Sequence, residues 1–312
     1  MKQPCKVLVT GGAGFIGSHL IRELLERDFS VVVFDDLSSG KLENLKELPS
    51  GSNFEFIKGD ILSKTALEKA FSGVDSVVHL AALIDIAASV VNPALTNDVN
   101  VSGTLNVLQE AARCKVGRFV FASSTAVYGD VKTLPVKEVE AVNPISPYAA
   151  SKAAGEAYCK AFLGCYGLST VMLRFFNVYG PRNANSPYSG VITKFLQQAA
   201  KGGELRIYGD GEQTRDFIHV NDIVQALILA LEAKDVDGEV FNACTGKPTS
   251  INMLADDVRA TTGKDSTIVH APAREGEIKF SYGDPSKALN KLKFKSQVGL
   301  REGLGLLLQS IA

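Results

Sequence analysis

Lys6-Val7-Leu8-Val9-Thr10-Gly11-Gly12-Ala13-Gly14-Phe15-Ile16-Gly17 decides how this chain folds. A short β-branched apolar run ends at Thr10, glycines follow at once, and a helical pattern takes over across Ser18–Arg27. Glycines in such a strand-to-helix turn let the backbone bend tightly and come close to a pyrophosphate. The helix start adds unpaired N–H groups and the positive end of its dipole. A G-x-G-x-x-G string is weak by itself, and its strand–turn–helix setting here gives it weight. Asp35 closes the next apolar run, eighteen residues beyond Gly17, where a carboxylate can bind the adenosine ribose hydroxyls. No arginine follows closely to receive a 2′-phosphate, so NAD is expected rather than NADP. The competing reading is a structural glycine turn with a solvated aspartate.

Further apolar runs lie at Val31–Asp35, Phe54–Lys58, Ser76–Leu80, Arg118–Ala122 and Ser169–Phe175. They are apolar throughout rather than alternating, as parallel strands covered on both faces are. Helical patterns at Lys64–Phe71 and Thr104–Cys114 separate them. The alternation predicts an α/β fold with a doubly wound parallel sheet of the Rossmann type. After Asn177 the texture changes: residues 180–191 (GPRNANSPYSGV) are rich in Gly, Pro, Asn and Ser and read as a loop. A helix at Ile192–Gly202 and a strand at Leu205–Tyr208 follow, and Arg215–Val220 with Ile223–Leu231 reads as a return to the main domain. The expected division is a nucleotide-binding domain of residues 1–176 plus 214–243. Residues 177–213 and 244–312 form a smaller, partly interleaved C-terminal lobe for the substrate.

Bulk composition narrows the function. Among 312 residues, 46% are hydrophobic and 21% charged, ordinary for a soluble globular protein. A formal net charge of −1 gives no broad basic surface for nucleic acid or an anionic membrane, so phosphate binding must come from local groups. The five cysteines, Cys5, Cys114, Cys159, Cys165 and Cys244, are scattered and odd in number, poor material for disulfides or a metal site. A strand-like run beginning at Lys6 leaves no room for a signal peptide, and no apolar stretch is long enough to span a bilayer. A cytoplasmic location is expected.

Ser146-Pro147-Tyr148-Ala149-Ala150-Ser151-Lys152 places a tyrosine four residues before a lysine, which on a helix puts both on one face. Ser146 is suited to cap this helix, with Pro147 as its first residue. A nearby ammonium would favour the phenolate and lower the tyrosine pKa towards a useful value for a base. Upstream, Phe121–Gly129 (FASSTAVYG) ends the fifth run in hydroxyls, where ligands of open parallel sheets sit.

Taken together, Thr10–Gly17 (TGGAGFIG), Leu80-Ala81-Ala82, Phe121–Gly129, Tyr148–Lys152 (YAASK), Leu173–Asn177 (LRFFN), Tyr179–Pro181 (YGP) and Arg215–Val220 (RDFIHV) occur in order. The chain resembles the extended short-chain dehydrogenases/reductases and is similar to their nucleotide-sugar epimerases, above all the UDP-glucose 4-epimerases. The resemblance spans nearly the whole chain. It implies Tyr148 as catalytic base, Lys152 as its partner and Ser124 as the hydroxyl sharing the reacting sugar oxygen. It implies NAD contacts at Gly11, Gly14, Phe15, Ile16, Gly17, Asp35, Asp36, Asp60, Ile61, Leu80, Ala81, Ala82, Asn100, Tyr148, Lys152 and Phe176. For Asp60 and Asn100 a helix-capping role is the alternative. A UDP-sugar would meet Ser124, Tyr148, Asn177, Val191, Arg206, Tyr208, Arg215, Arg274 and Ser281. Arg215 and Arg274 suit a diphosphate and Tyr208 can stack on uracil, with surface ion pairs and core packing as the alternatives.

The implied reaction is 4-epimerisation through a 4-keto sugar. Related dehydratases carry an Asp-Glu pair after the position of Ser124, and decarboxylases keep a glutamate there. This chain has Thr125-Ala126, neither of which ionises near neutral pH. UDP-glucuronate 4-epimerisation stays open, as does, more remotely, a silent NAD-binding sensor on the same fold. Ser281 stands where epimerases restricted to glucose and galactose carry a bulky tyrosine, so room for an N-acetyl group at C2 is expected. The family further implies a homodimer through Thr104–Cys114 and Ala149–Cys165. Leu105, Leu108 and Ala112 are suited either to that contact or to the sheet.

Overall fold

The computed structural model describes residues 5–46, 48, 53–183, 190–273 and 278–311. Six parallel strands follow the apolar runs: β1 (Lys6–Thr10), β2 (Ser30–Asp35), β3 (Phe54–Lys58), β4 (Ser76–His79), β5 (Arg118–Ser124) and β6 (Thr170–Phe175). A seventh, Val240–Ala243, lies beside β6, and the order across the sheet is Val240–Ala243, β6, β5, β4, β1, β2, β3. All pairings are parallel, with Thr10 opposite both Phe34 and His79. The order reverses direction between β1 and β4. That switch point opens a crevice at the carboxyl ends of the strands, where a ligand fits.

The unbroken apolar runs follow from cover on both faces. Val7 and Val9 join a core with Leu20, Leu24 and Leu227, from the helices Phe15–Glu26 and Val220–Glu232. Leu8, between them, points the other way into a core with Leu108, Phe119 and Phe162, under the helices Thr104–Arg113 and Pro147–Tyr166. Each such buried leucine or phenylalanine stabilises the fold by roughly 1.5–3 kcal/mol. Leu108 is fully buried on this sheet side, so of its two expected roles the packing one holds. A third core gathers Phe195, Leu196, Leu254, Val258, Leu304 and Leu307 from the helices Val191–Ala200, Ile251–Thr262 and Leu300–Ile311. Among the described residues, no helix is long and apolar enough to cross a membrane.

Two elements depart from expectation. The first helix starts at Phe15 rather than Ser18, with Gly14 as an N-cap that offers no side chain. The strand Val240–Ala243 carries Asn242 at its centre, which breaks the apolar pattern. Asn242 is buried because it accepts the Tyr128 hydroxyl at 2.6 Å, donates to the Val136 carbonyl at 2.9 Å and gives its N–H to Glu138 at 2.8 Å.

Candidate active site

The glycine turn is built for a ligand that needs bare backbone. Gly11 has φ +69°, and a Cβ there would lie 2.8 Å from the Ala81 nitrogen. A Cβ on Gly17 would lie 2.5 Å from the Gly11 carbonyl oxygen and 2.6 Å from the Gly12 Cα. No side chain caps the Phe15–Glu26 helix, which leaves its first N–H groups for an anion. Asp35 is buried at the end of β2, accepting from the Ala13 N–H at 2.9 Å and the Leu37 N–H at 2.8 Å. Burial pushes its pKa up, and those two N–H bonds pull it back. Each oxygen keeps a lone pair for a ribose hydroxyl, so the cradle and the acid both fit a dinucleotide. Asp36 is exposed and holds Ser38.

The two capping alternatives fail. Ser63, not Asp60, caps the Lys64–Ala70 helix, while exposed Asp60 accepts from the Leu62 N–H. Asn100 lies inside a π-helical turn, Asp98–Gly103, and its side chain clasps Leu83 rather than a helix end. Ile61 is buried where a Cβ on Gly103 would strike it, whereas Leu80, Ala81 and Ala82 follow β4 half-buried along the switch point.

At the end of β5, Ser124 starts a tight turn, Thr125–Tyr128, by accepting from the Ala126 N–H at 3.2 Å. Its hydroxyl stands beside the Tyr148 side chain and favours the phenolate. Tyr148 sits in the first turn of the Pro147–Tyr166 helix, where Ser146 caps and Pro147 leads as the sequence predicts. Lys152, one turn on, is buried and donates to the Ala122 carbonyl at 2.9 Å, with its ammonium 5.1 Å from the Phe121 ring centroid. Burial lowers its pKa to about 8, against the pull of the nearby Cys159 and Glu156 groups. The expected lowering of the tyrosine does not appear in the protein alone. Burial pushes the Tyr148 phenol up, offset in part by Ser124, while the lysine ammonium is committed to Ala122.

Beyond the sheet, Asn177, Val191, Arg206, Tyr208 and Arg215 line one cavity of about 570 Å³. Phe176 is buried just before it. Arg206 pairs with Glu204 at 2.9 Å, and Arg215 donates to the Thr214 carbonyl at 2.8 Å. Ser281 lies in a short strand directly opposite Arg215. Arg274 lies outside the described residues. The cavity wall also includes Lys194, Gln198, Glu204 and Gln213, which the sequence reading missed. Lys194 and Gln198 stand four apart on one helix face, a spacing that points to a pocket only once that face is known to line one. Asp216, beside Arg215, is buried and receives the Thr245 hydroxyl and the Thr245 and Gly246 N–H groups within 2.9 Å, tying the Arg215 strand to the Thr245–Gly246 turn.

Comparison with known proteins agrees with this geometry. The profile of the NAD dependent epimerase/dehydratase family matches residues 7–244. A putative UDP-glucose 4-epimerase of Methanocaldococcus jannaschii is 40% identical over 300 residues, covering 96% of this chain and 95% of the relative. The solved UDP-glucose 4-epimerase of Thermotoga maritima, with UDP-glucose, superposes with a TM-score of 0.92 at 40% identity over 98% of both chains. A UDP-N-acetylglucosamine 4-epimerase from Methanobrevibacter ruminantium, in complex with UDP-N-acetylmuramic acid, gives 0.94 at 41% identity, over 99% of this chain and 98% of that one. A match that runs from β1 through the last strand of the sheet leaves one conclusion: this chain belongs to the NAD-dependent epimerase/dehydratase family, and its cofactor is NAD.

Proposed function

We propose that this protein epimerises a UDP-sugar at C4, interconverting UDP-glucose with UDP-galactose and UDP-N-acetylglucosamine with UDP-N-acetylgalactosamine. One observation carries the reading. Ser124, at the end of β5, stands near enough to the Tyr148 phenol to favour its ionised form, and the two residues after Ser124 are Thr125 and Ala126. A hydroxyl pair there can move a proton on and off one sugar oxygen. Elimination of water would need further acid and base groups beside it, and Thr125 and Ala126 supply none.

Tyr148 takes the proton of the 4-hydroxyl, and Ser124 shares the same oxygen by hydrogen bond. NAD, held by the glycine turn and Asp35, would supply the hydride acceptor and donor for C4. Lys152 supplies positive charge that favours the phenolate, and its ammonium would be a donor for a hydroxyl of the bound cofactor. Arg215, with Arg274, anchors the diphosphate while the 4-keto sugar turns its other face. Tyr148 then gives the proton back. In this reading residues 1–176 and 214–243 hold NAD, and 177–213 with 244–312 hold the UDP-sugar. Ser281, opposite Arg215, leaves volume beside C2 for an acetamido group.

The test is a direct assay of the purified protein on UDP-glucose, UDP-N-acetylglucosamine and UDP-glucuronate, with epimers resolved. UDP-galactose and UDP-N-acetylgalactosamine should form from the first two. A UDP-pentose product would instead identify a decarboxylase, and turnover of UDP-glucuronate alone a glucuronate epimerase.

A further inference from the structure

His79 ends β4, is fully buried, and lies in no part of the reaction described above. Its ring sits between Thr10, the last residue of β1, and Thr104, the first residue of the Thr104–Arg113 helix. The Thr10 Oγ1 is 2.7 Å from Nδ1 and the Thr104 Oγ1 is 2.9 Å from Nε2. Phe121 stacks on the ring at 5.9 Å and Phe119 lies tilted at 5.9 Å. Burial and the charge of Lys152 lower the imidazole pKa to about 3, so the ring is neutral with one N–H.

The neighbours then decide which nitrogen holds the proton. The Thr104 hydroxyl gives its single hydrogen to the Asn100 carbonyl at 2.6 Å, so towards His79 it can only accept. Nε2 is therefore the N–H, and Nδ1 accepts from the Thr10 hydroxyl. The Thr10 oxygen accepts in turn from the Ala81 N–H at 3.4 Å. Every proton in this chain points one way, from the cofactor side of the switch point towards Asn100. Asn100 stands in the π-helical turn, a winding frequent at functional sites. Its side chain accepts from the Leu83 N–H, donates to the Leu83 carbonyl and donates to the Ser151 hydroxyl at 3.0 Å. Ser151 donates to the Tyr148 carbonyl at 2.7 Å, and the Tyr148 N–H is held by Ser89 at 3.2 Å.

We propose that His79 is a positioning residue. As a neutral imidazole protonated on Nε2, it fixes the Asn100 turn, and through Ser151 the Tyr148 backbone, against the glycine turn that holds NAD. This rests on Tyr148 being the base. The relay touches no substrate atom and sets where the tyrosine oxygen stands relative to the cofactor. A misplacement on the order of 1 Å at such a site costs about 10²-fold in rate.

The test has two arms on the NAD-loaded protein. Ring-nitrogen NMR, with His79 assigned by its loss in His79→Gln, should show a bare Nδ1 and a protonated Nε2 that do not change between pH 5.5 and 8.5 (an interval on the order of three units around the ordinary histidine pKa). The second arm uses UDP-glucose and UDP-N-acetylglucosamine as probes. Thr104→Val keeps shape but breaks the relay, so kcat should fall roughly 10–100-fold with KM and NAD content nearly unchanged, and Thr104→Ser should restore most of it. Protonation on Nδ1, a ring that titrates in that interval, an undiminished kcat in Thr104→Val, or no rescue by serine would each overturn the proposal. If Thr104→Val does not fold, the NMR arm decides alone. If the wild type turns over neither probe, the assignment of Tyr148 fails, and the nitrogen spectrum still judges the relay.

Discussion

Gly17→Ala should cost this protein its cofactor while leaving the fold in place. The added Cβ would lie 2.5 Å from the Gly11 carbonyl oxygen and 2.6 Å from the Gly12 Cα. Both obstacles are backbone, so no rotamer change relieves them. Reaching an ordinary contact of 3.4 Å requires the turn and helix to part by roughly 0.9 Å. Overpacking of this kind costs about 1–3 kcal/mol of stability. The larger effect is on binding, because the same movement carries the helix N–H groups away from the pyrophosphate. Losing one or two hydrogen bonds to a charged group, about 1.5–3 kcal/mol each, corresponds to an NAD site weaker by about 10- to 10⁴-fold. Calorimetric titration of cofactor-stripped protein reads the binding, and a thermal melt reads the stability. Gly305→Ala is the control: it lies in the Leu300–Ile311 helix with nothing within 4 Å of its Cβ, and should stabilise by about 0.5–1 kcal/mol. A Gly17→Ala protein that binds NAD within twofold of wild type would refute the contact argument.

Tyr148→Phe should lower kcat by roughly 10²–10⁴-fold while UDP-sugar still binds, since the nucleotide is held elsewhere; a steady-state assay with calorimetry separates the two. Ser281→Tyr should suppress turnover of UDP-N-acetylglucosamine and largely spare UDP-glucose, and a wild type inactive on the N-acetyl sugar would end the argument from Ser281. Burial lowers Lys152 from 10.5 to about 8, so between those values the unfolded chain binds more protons and this group's destabilising effect fades as pH rises. Lys152→Met should therefore gain on wild type in a melt at pH 7, about a unit below the shifted pKa, and lose that advantage towards pH 10. The protein should be a dimer by light scattering; with Leu108 turned to the sheet, the exposed Tyr158 and Tyr166 and the half-buried Leu105 and Ala112 remain for the contact.

The parallel sheet was legible because its strands are doubly covered and so read as unbroken apolar runs, and because the glycine turn carries its own chemistry. Strand Val240–Ala243 escaped that logic through Asn242, whose burial depends on Tyr128, Val136 and Glu138 from over a hundred residues away. The same limit hid His79. A histidine inside an apolar run gives no sign of its role until Thr10 and Thr104 are seen on either side of it. The capped helix bearing Tyr148 and Lys152 was readable because Ser146, Pro147 and the four-residue spacing are local signals. The cavity wall was only half readable, since Lys194 and Gln198 acquire meaning from the tertiary face they occupy.

The Pro147–Tyr166 helix explains how the reactive groups are held so closely. Its buried face carries Tyr148, Ser151, Lys152 and Glu156, a polar stripe set among the small Ala149 and Gly155 where a core-facing helix is ordinarily apolar, before Cys159 and Phe162 continue it. The polar members are answered from the Asn100 turn and from β5 and β6: Ser151 by Asn100, Lys152 by the Ala122 carbonyl, Glu156 by Ser123 at 2.5 Å and by Nε and Nη2 of Arg174 at 2.8 and 2.6 Å. Such a pair adds little net stability over apolar packing, yet removing one partner leaves a bare buried charge at a cost of about 3–5 kcal/mol. The asymmetry matters more than the sum. A slide of the helix by one residue, or a twist of a few tens of degrees, would orphan several of these groups at once. Ser123 precedes Ser124 on β5, and Glu156 follows Lys152 by one helical turn. The Glu156 contact therefore locks strand and helix together at the place where the proposed reaction needs Ser124, Tyr148 and Lys152 to keep their spacing.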